Sequence, residues 1–325
     1  MADHAIAFAS PKPKTTTDVA DRYRARLARA FTRMMTALSA SVKSTDRPDA
    51  IPDRIVGLFN GSGLQPNQRS FADEFAIIFE SGAEAGMRRL DRVAVPKSVA
   101  TVMSFSLLNP SAVSFLQGYN FGLITGITLM ARETVQAIVT NAFTNGVTPA
   151  AQARQIRQHV GLTAAQYAAV QNYRRLLESG DPGMLRESLT RQLRDARFDS
   201  TIQRTIADGA RLTRAQIDRL VGRYAERQLK YRAEMIARTE TIRAANHGQI
   251  EAWRQAQQQG LLSQTVRQKW IYTKDERTCD ICPRIPGMNP GGVPIGGYFN
   301  SPVGRIQAPP DPHPQCRCSL GLIVT

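Results

Sequence analysis

The sequence predicts a mainly α fold, in which a multi-helix domain is followed by a small C-terminal α+β module. Three observations predict it. No sustained period-two alternation of apolar residues occurs before residue 265, so nothing there reads as a half-buried strand. Helix start signals recur instead: Thr148-Pro149 offers a cap followed by proline at the first helical position, and Thr163 with Gln166 and Thr213 with Gln216 both read as capping boxes. Finally, all four cysteines fall near the C-terminus, as Cys279-x-x-Cys282 and Cys316-x-Cys318, with His313 three residues before the second pair.

Residues 1–17 read as a disordered tail, because Pro11, Lys12, Pro13, Lys14 and three threonines offer little to bury. An N-terminal helical region follows over 18–95. Its first helix is expected from Asp18 to about Lys43, with Tyr23, Leu27, Ala30, Phe31, Met34, Met35 and Leu38 at helical spacing among five arginines. An amphipathic surface helix explains that pattern, and so does a basic arm lying on DNA or on a partner helix. Pro48, Pro52 and Pro66 mark 44–69 as a linker. Ser70 then caps a helix to about Arg92, with Phe71, Phe75, Ile78, Phe79 and Met87 on its apolar face and Pro96 beyond it.

The helical core is expected over 96–260. Asn109-Pro110-Ser111 opens a unit that is helical through Phe143 and ends at Asn145-Gly146. Helices should follow at 149–159, 164–179, 183–196, 199–208 and 214–259, the last stopped by Gly260. The apolar run Phe121 to Met130 is too short to span a bilayer, so a buried helix is the better reading and no membrane is implied. Gly118, Gly122 and Gly126 recur every four residues, a spacing that would let another helix approach closely.

Residues 261–325 complete the chain as a zinc-ribbon-like module. One strand is expected at Lys269–Thr273, leading into the first cysteine pair, and another at Ser319–Val324, leaving the second. The loop between the pairs is rich in Gly and Pro and poor in large apolar residues, so a metal that binds only the folded state would supply its missing stability. The candidate ligands are Cys279, Cys282, His313, Cys316 and Cys318, five for the four positions of a tetrahedral site. His313-x-x-Cys316 mimics the Cys279-x-x-Cys282 knuckle, which makes those four the symmetric choice; Cys318 then packs beside them or replaces His313. A closed four-ligand zinc site is a structural staple. Disulfides are the alternative, and the absence of a basic start followed by an apolar run at residues 1–6 gives no sign of secretion that would favour them.

The formal charge of +15, from 42 Lys+Arg against 27 Asp+Glu, points to a polyanionic partner, most plainly DNA held without sequence preference. Acidic residues are interspersed throughout, and a GC-rich coding sequence also yields an Ala- and Arg-rich chain, so charge alone identifies no dedicated reader. On the long helix, Thr239, Arg243 and Asn246 share one face while Glu240 shares another with His247. Glu240 and His247 are two turns and about 10 Å apart, too far for direct acid–base partnership. Docking of polar groups against the cysteine module, with Arg238 and Glu240 tying loops in place, is the simpler reading.

Several stretches together resemble the phage Mu F-like minor head proteins, also called phage head morphogenesis proteins. They are Ala237-Arg238-Thr239-Glu240 with Asn246, Gly248 and Trp253; Trp270; Asp275 to Cys282; Gly287; Phe299; and Pro309 to Cys318, of which His313-Pro-Gln-Cys316-Arg-Cys318 is the most specific. Upstream, Phe115–Ile127, Gly146–Arg157, Gly161–Thr163 and Asn172–Arg174 extend the likeness, which covers about 100–325 and leaves 1–99 unmatched. The resemblance implies a non-enzymatic, internal capsid protein of a tailed phage, assembled in the host cytoplasm. Its implied partners are the portal, the major capsid or scaffold protein, and packaged DNA. The competing readings are a metal-dependent nuclease, which needs His313, His247, Asp275 and Glu240 to converge on an open metal position, and a plain zinc-bearing DNA-binding protein.

Overall fold

The computed structural model describes residues 15–41, 51–62, 68–90, 109–118 and 161–323, with scattered positions between 126 and 159. Residues 1–14 of the expected tail and most of the stretches 109–143 and 149–159 lie outside these residues, while Thr16 and Thr17, expected in the tail, are already helical. Contacts divide the chain into two units, one of Met1–Ala25, Phe75–Leu116 and Arg238–Thr325, the other of Arg26–Glu74 and Gln117–Ala237.

The second of these units is helical. Helix α1 (Thr16–Ser41) runs into it and buries Leu27, Phe31, Met34, Met35 and Leu38, the stripe expected from the sequence. Helix α2 (Ile51–Phe59) occupies part of the stretch expected as linker. Pro52 sits in its first turn, where no backbone donor is needed, and Ile55 and Phe59, four residues apart, are fully buried. Phe59 and Phe31 both meet Phe71, at ring-centroid distances of 5.2 and 6.5 Å, where helix α3 (Phe71–Leu90) begins.

Helix α4 (Ala164–Glu178) starts at Thr163 with the complete capping box expected there. Helix α5 (Pro182–Ser188) is capped by Asp181, but it stops well short of residue 196. Ser188 and Thr190 donate side-chain hydrogen bonds to the carbonyls of Leu185 and Glu187, at 2.7 and 2.8 Å, and so satisfy the last turn locally. The chain then turns until Asp195 caps a 3₁₀ turn, Ala196–Phe198, and helix α6 (Asp199–Ala207) follows. Helix α7 (Arg214–Gln258) opens on the second capping box, with Gln216 N–H donating to Thr213 Oγ1 at 3.3 Å and Thr213 N–H to Gln216 Oε1 at 2.8 Å. Tyr173 of α4 stacks on Tyr224 of α7 at 4.5 Å, within a core that also holds Val170, Leu177, Leu185, Ile202 and Leu220.

In the first unit, the later turns of α3 and α7 touch backbone to backbone. A Cβ on Gly82 would lie 2.3 Å from the Ala245 carbonyl oxygen, and one on Gly248 2.0 Å from that of Phe79. Trp253, fully buried, donates its indole N–H to the Gly86 carbonyl at 3.1 Å. The close approach expected at Gly118 and Gly126 is not found, because nothing among the described residues lies within 4 Å of a Cβ at either position; Gly122 is outside them. Residues 110–118 are helical and bring Phe115 onto Phe79 and His247, at 5.4 and 4.4 Å.

Beyond Gly260, whose φ of +71° ends α7, the chain forms the small α+β module. Strand β1 (Arg267–Ile271) is the centre of an antiparallel sheet ordered β2–β1–β5, with β2 at Val293–Pro294 and β5 at Ser319–Ile323. Helix α8 (Arg284–Met288) and the hairpin β3 (Phe299–Ser301) and β4 (Gly304–Ile306) fill the Gly/Pro-rich loop. Those elements carry too few residues to show a period in the sequence. Trp270, Ile285, Phe299 and Leu320 pack with Trp253 and Ile250 of α7, which gives the module an apolar floor.

Candidate metal centre

The pairing of β1 with β5 creates the site. Their register sets Ile271 opposite Ser319, so the segment leaving β1 and the segment entering β5 start side by side. The first carries Cys279 and Cys282, the second His313, Cys316 and Cys318. Thr273 Oγ1 donates to the Arg317 carbonyl at 3.0 Å, and Arg317 forms an ion pair with Asp275, joining the two loops again before the first cysteine. Within the first knuckle, the Cys282 backbone N–H donates to Cys279 Sγ at 3.3 Å, which closes the Cys-x-x-Cys turn.

The second loop is moored on α7. Asp311 accepts from the backbone N–H groups of Gln307 and Ala308, at 3.0 and 3.1 Å, and from Arg243 at 2.6 Å. Thr239 Oγ1 accepts from Gln315 N–H at 3.1 Å, where Gln315 takes a positive φ of 60°. The face of α7 that bears Thr239 and Arg243 was visible in the sequence; its targets, Asp311 and Gln315, were not.

All five candidate ligands converge. Cys279 Sγ and Cys282 Sγ stand 3.0 and 3.4 Å from His313 Nε2, and Cys282 Sγ stands 3.7 Å from Cys316 Sγ. Tetrahedral bonds of ordinary zinc length would give edges of about 3.8 Å between two sulfurs and about 3.6 Å between sulfur and nitrogen. His313 Nδ1 lies 2.8 Å from the Pro314 carbonyl. A proton on Nδ1 makes that hydrogen bond and leaves the Nε2 lone pair facing the sulfurs, as a metal ligand requires. The donor atoms border a cavity of about 30 Å³, room for an ion and not for a substrate.

The thiols themselves call for a cation. The four cysteines are free, and three are buried. The neighbouring sulfurs of Cys316 and Cys318, with burial, push the Cys282 thiol far up. Cys316 is pushed to about 12: its hydrogen bond to Cys282 lowers it, and Cys318 and burial raise it by more. Hydrogen bonds from Cys282 and Cys316 hold Cys318 down, at about 3. Crowding of the sulfurs opposes more than one negative charge among them, and a positive ion at their centre would relieve that opposition. Among the described residues, two groups have donor atoms close enough to share an ion: Cys279, Cys282 and His313, and Cys282, Cys316 and Cys318. Cys282 belongs to both.

Of the residues the nuclease reading needs, His313 belongs to one of those groups, and Glu240, His247 and Asp275 belong to neither. Glu240 is buried beside Arg243, 3.6 Å away, and burial raises its carboxyl to about 7. His247 stacks on Phe115, and burial lowers it to about 4. Asp275 is held by the Arg317 guanidinium, which pulls its carboxyl well below the usual range.

Residues 181–321, from the start of α5 almost to the end of β5, match the family model described as Phage Mu protein F like protein. Over this stretch the chain is similar to that family. The match bears out the resemblance over the long helix and the cysteine module, and it leaves out residues 100–180, where the likeness rested on shorter motifs. No curated protein and no solved structure matches the chain significantly. Among the described residues, no helix is long and apolar enough to cross a membrane.

Proposed function

We propose that this phage Mu F-like chain is a minor head morphogenesis protein of a tailed phage, without enzymatic activity. It is assembled in the host cytoplasm and retained inside the capsid, where it contacts the portal, with the major capsid or scaffold protein as a further partner. The observation that carries this reading is the family match, which takes in all five candidate ligands. The charge of +15 supports proximity to packaged DNA, bound through phosphates and without sequence preference. Cys279, Cys282, His313 and Cys316 hold a structural zinc ion, with Cys318 beside them as the alternative to His313. When bound, the ion fixes the two loops to each other and activates no substrate. Residues 18–95 and 96–260 supply the helical scaffold, and 261–325 the zinc-knuckle module.

The test joins three measurements on one sample purified reduced and without chelator: elemental analysis, plasmid cleavage with Mg²⁺, Mn²⁺ or Zn²⁺, and duplex binding across a salt series. The expected result is one tightly held zinc, no cleavage, and binding that weakens steeply between low and physiological salt. Cleavage abolished by His313→Ala or Glu240→Gln would overturn the structural reading. Absence of DNA binding even at low salt would leave the positive charge without its proposed partner.

A further inference from the structure

A second cavity, of about 240 Å³, is also lined by the cysteine loops and lies wholly within the first unit. Helix α1 lines it with Thr17, Asp21 and Arg24, which share one face at helical spacing. Helix α7 contributes Arg238, and the two cysteine loops contribute Arg277 and Arg317. Four guanidinium groups therefore border one cavity, against the single carboxylate of Asp21.

Elsewhere in the chain several arginines are neutralised by a carboxylate. Arg174 pairs with Asp218, Arg191 with Glu187, and Arg194 with Asp199. Around this cavity Arg317 is paired with Asp275, but among the described residues no carboxylate lies within ion-pair distance of Arg24, Arg238 or Arg277. Arg238 is partly buried, and its guanidinium is lowered from its ordinary value by desolvation and then by the charges of Arg24, Arg317 and Arg277. Like charges gathered in a partly desolvated recess raise the free energy of the folded state unless an anion joins them.

We propose that this cavity is a binding site for an oxyanion of the phosphate class, gripped by Arg24, Arg238 and Arg277. Several guanidinium forks arriving from separate elements suit a group with three or four oxygens better than a two-oxygen carboxylate. Arg277 stands two residues before Cys279, and Arg317 lies between Cys316 and Cys318, so the loops that gather the sulfurs also set half of the arginine ring. The site is independent of the head-protein reading: it stands on the lining residues and would hold in a protein of any role.

The test is calorimetric titration of the full chain at low salt with inorganic phosphate, with pyrophosphate and with a ten-nucleotide oligothymidylate. Parent protein is compared with Arg24→Gln, Arg238→Gln and the exposed control Arg204→Gln, after melting curves have established that each variant is folded. Saturable binding weakened about tenfold by Arg24→Gln and by Arg238→Gln, and unchanged by Arg204→Gln, supports the site. Binding of phosphate or pyrophosphate identifies a free anion as the ligand, whereas the same pattern with the oligonucleotide alone identifies a nucleic-acid backbone. No saturable binding of any probe, or equal weakening in Arg204→Gln, overturns the proposal and leaves only diffuse charge. Arg24 is exposed on α1 and its variant carries the test if Arg238→Gln does not fold.

Discussion

Replacing Gly248 by alanine adds one methyl group to a helix interior, and helix propensity alone would make the change favourable by about 1 kcal/mol. The packing reverses that sign. The new Cβ would fall 2.0 Å from the Phe79 carbonyl oxygen and 2.9 Å from the Ala83 nitrogen, both backbone atoms of α3. Carbon and carbonyl oxygen rest in contact at about 3.3 Å, so α3 and α7 must separate locally by about 1 Å. No rotamer change relieves a clash against backbone, which sets the cost at the upper end of overpacking, about 3 kcal/mol. The net expectation is a loss of about 2 kcal/mol, or a melting temperature lower by about 4–8 °C. The assay is built into the chain: its two tryptophans, Trp253 and Trp270, are both buried in the unit that contains this contact, so indole fluorescence follows that unit selectively. Gly222 of α7 is the internal control, since it is exposed and nothing among the described residues lies within 4 Å of the point a Cβ would occupy there. Gly222→Ala should stabilise by up to about 1 kcal/mol, followed by circular dichroism. A Gly248→Ala protein that melts at or above the parent temperature would refute the reasoning.

Other perturbations act on the cysteine module and its mooring. Replacing both Cys279 and Cys282 by serine should release bound metal and make residues 261–325 sensitive to protease; unchanged metal content by elemental analysis would rule out the proposed ligand set. Asp311→Ala removes the acceptor for Gln307 N–H, Ala308 N–H and Arg243, and should weaken metal retention against a competing chelator by about 10–100-fold. Glu240 gives a pH signature. Burial raises its carboxyl to about 7, so between about pH 4.5 and 7 the folded chain keeps a proton that the unfolded chain has released, and stability falls as pH rises through that window. Glu240→Gln should flatten this slope and add at most about 3 kcal/mol above pH 7; denaturant midpoints that stay parallel to the parent across pH 5–8 would contradict it.

The helices that announced themselves in the sequence did so through local chemistry. Thr163 and Thr213 satisfy backbone donors three residues away, so both capping boxes were legible without any knowledge of the fold. The early end of α5 was not legible. The side chains of Ser188 and Thr190 can bond a helical carbonyl or leave it, and only the turn that follows decides between them. Helix α2 was hidden by Pro52, a breaker within a helix and harmless in its first turn. The glycine stripe at 118–126 drew attention because its spacing is regular, yet spacing does not say which face meets a neighbour. Gly82, Gly86 and Gly248 are glycines where two helix backbones meet. At the site, the five soft ligands were legible because cysteine occurs nowhere else in the chain. Asp311, Gln315 and the ring of arginines were not, since their roles arise from pairings between residues that lie tens to hundreds of positions apart.

Five donors around a space for one ion also govern how quickly that ion can leave. In a closed four-ligand site, exchange has to begin with a bond breaking and a vacant position. Here Cys282 sits within reach of every other donor group, and a fifth ligand stands ready whichever of His313 and Cys318 is bound. If these residues hold an ion, an incoming donor could attach before the outgoing one departs, and metal exchange would proceed through ligand swaps. Tight equilibrium retention and rapid exchange with a labelled ion would then coexist in the same cluster, and stoichiometry alone would miss the second.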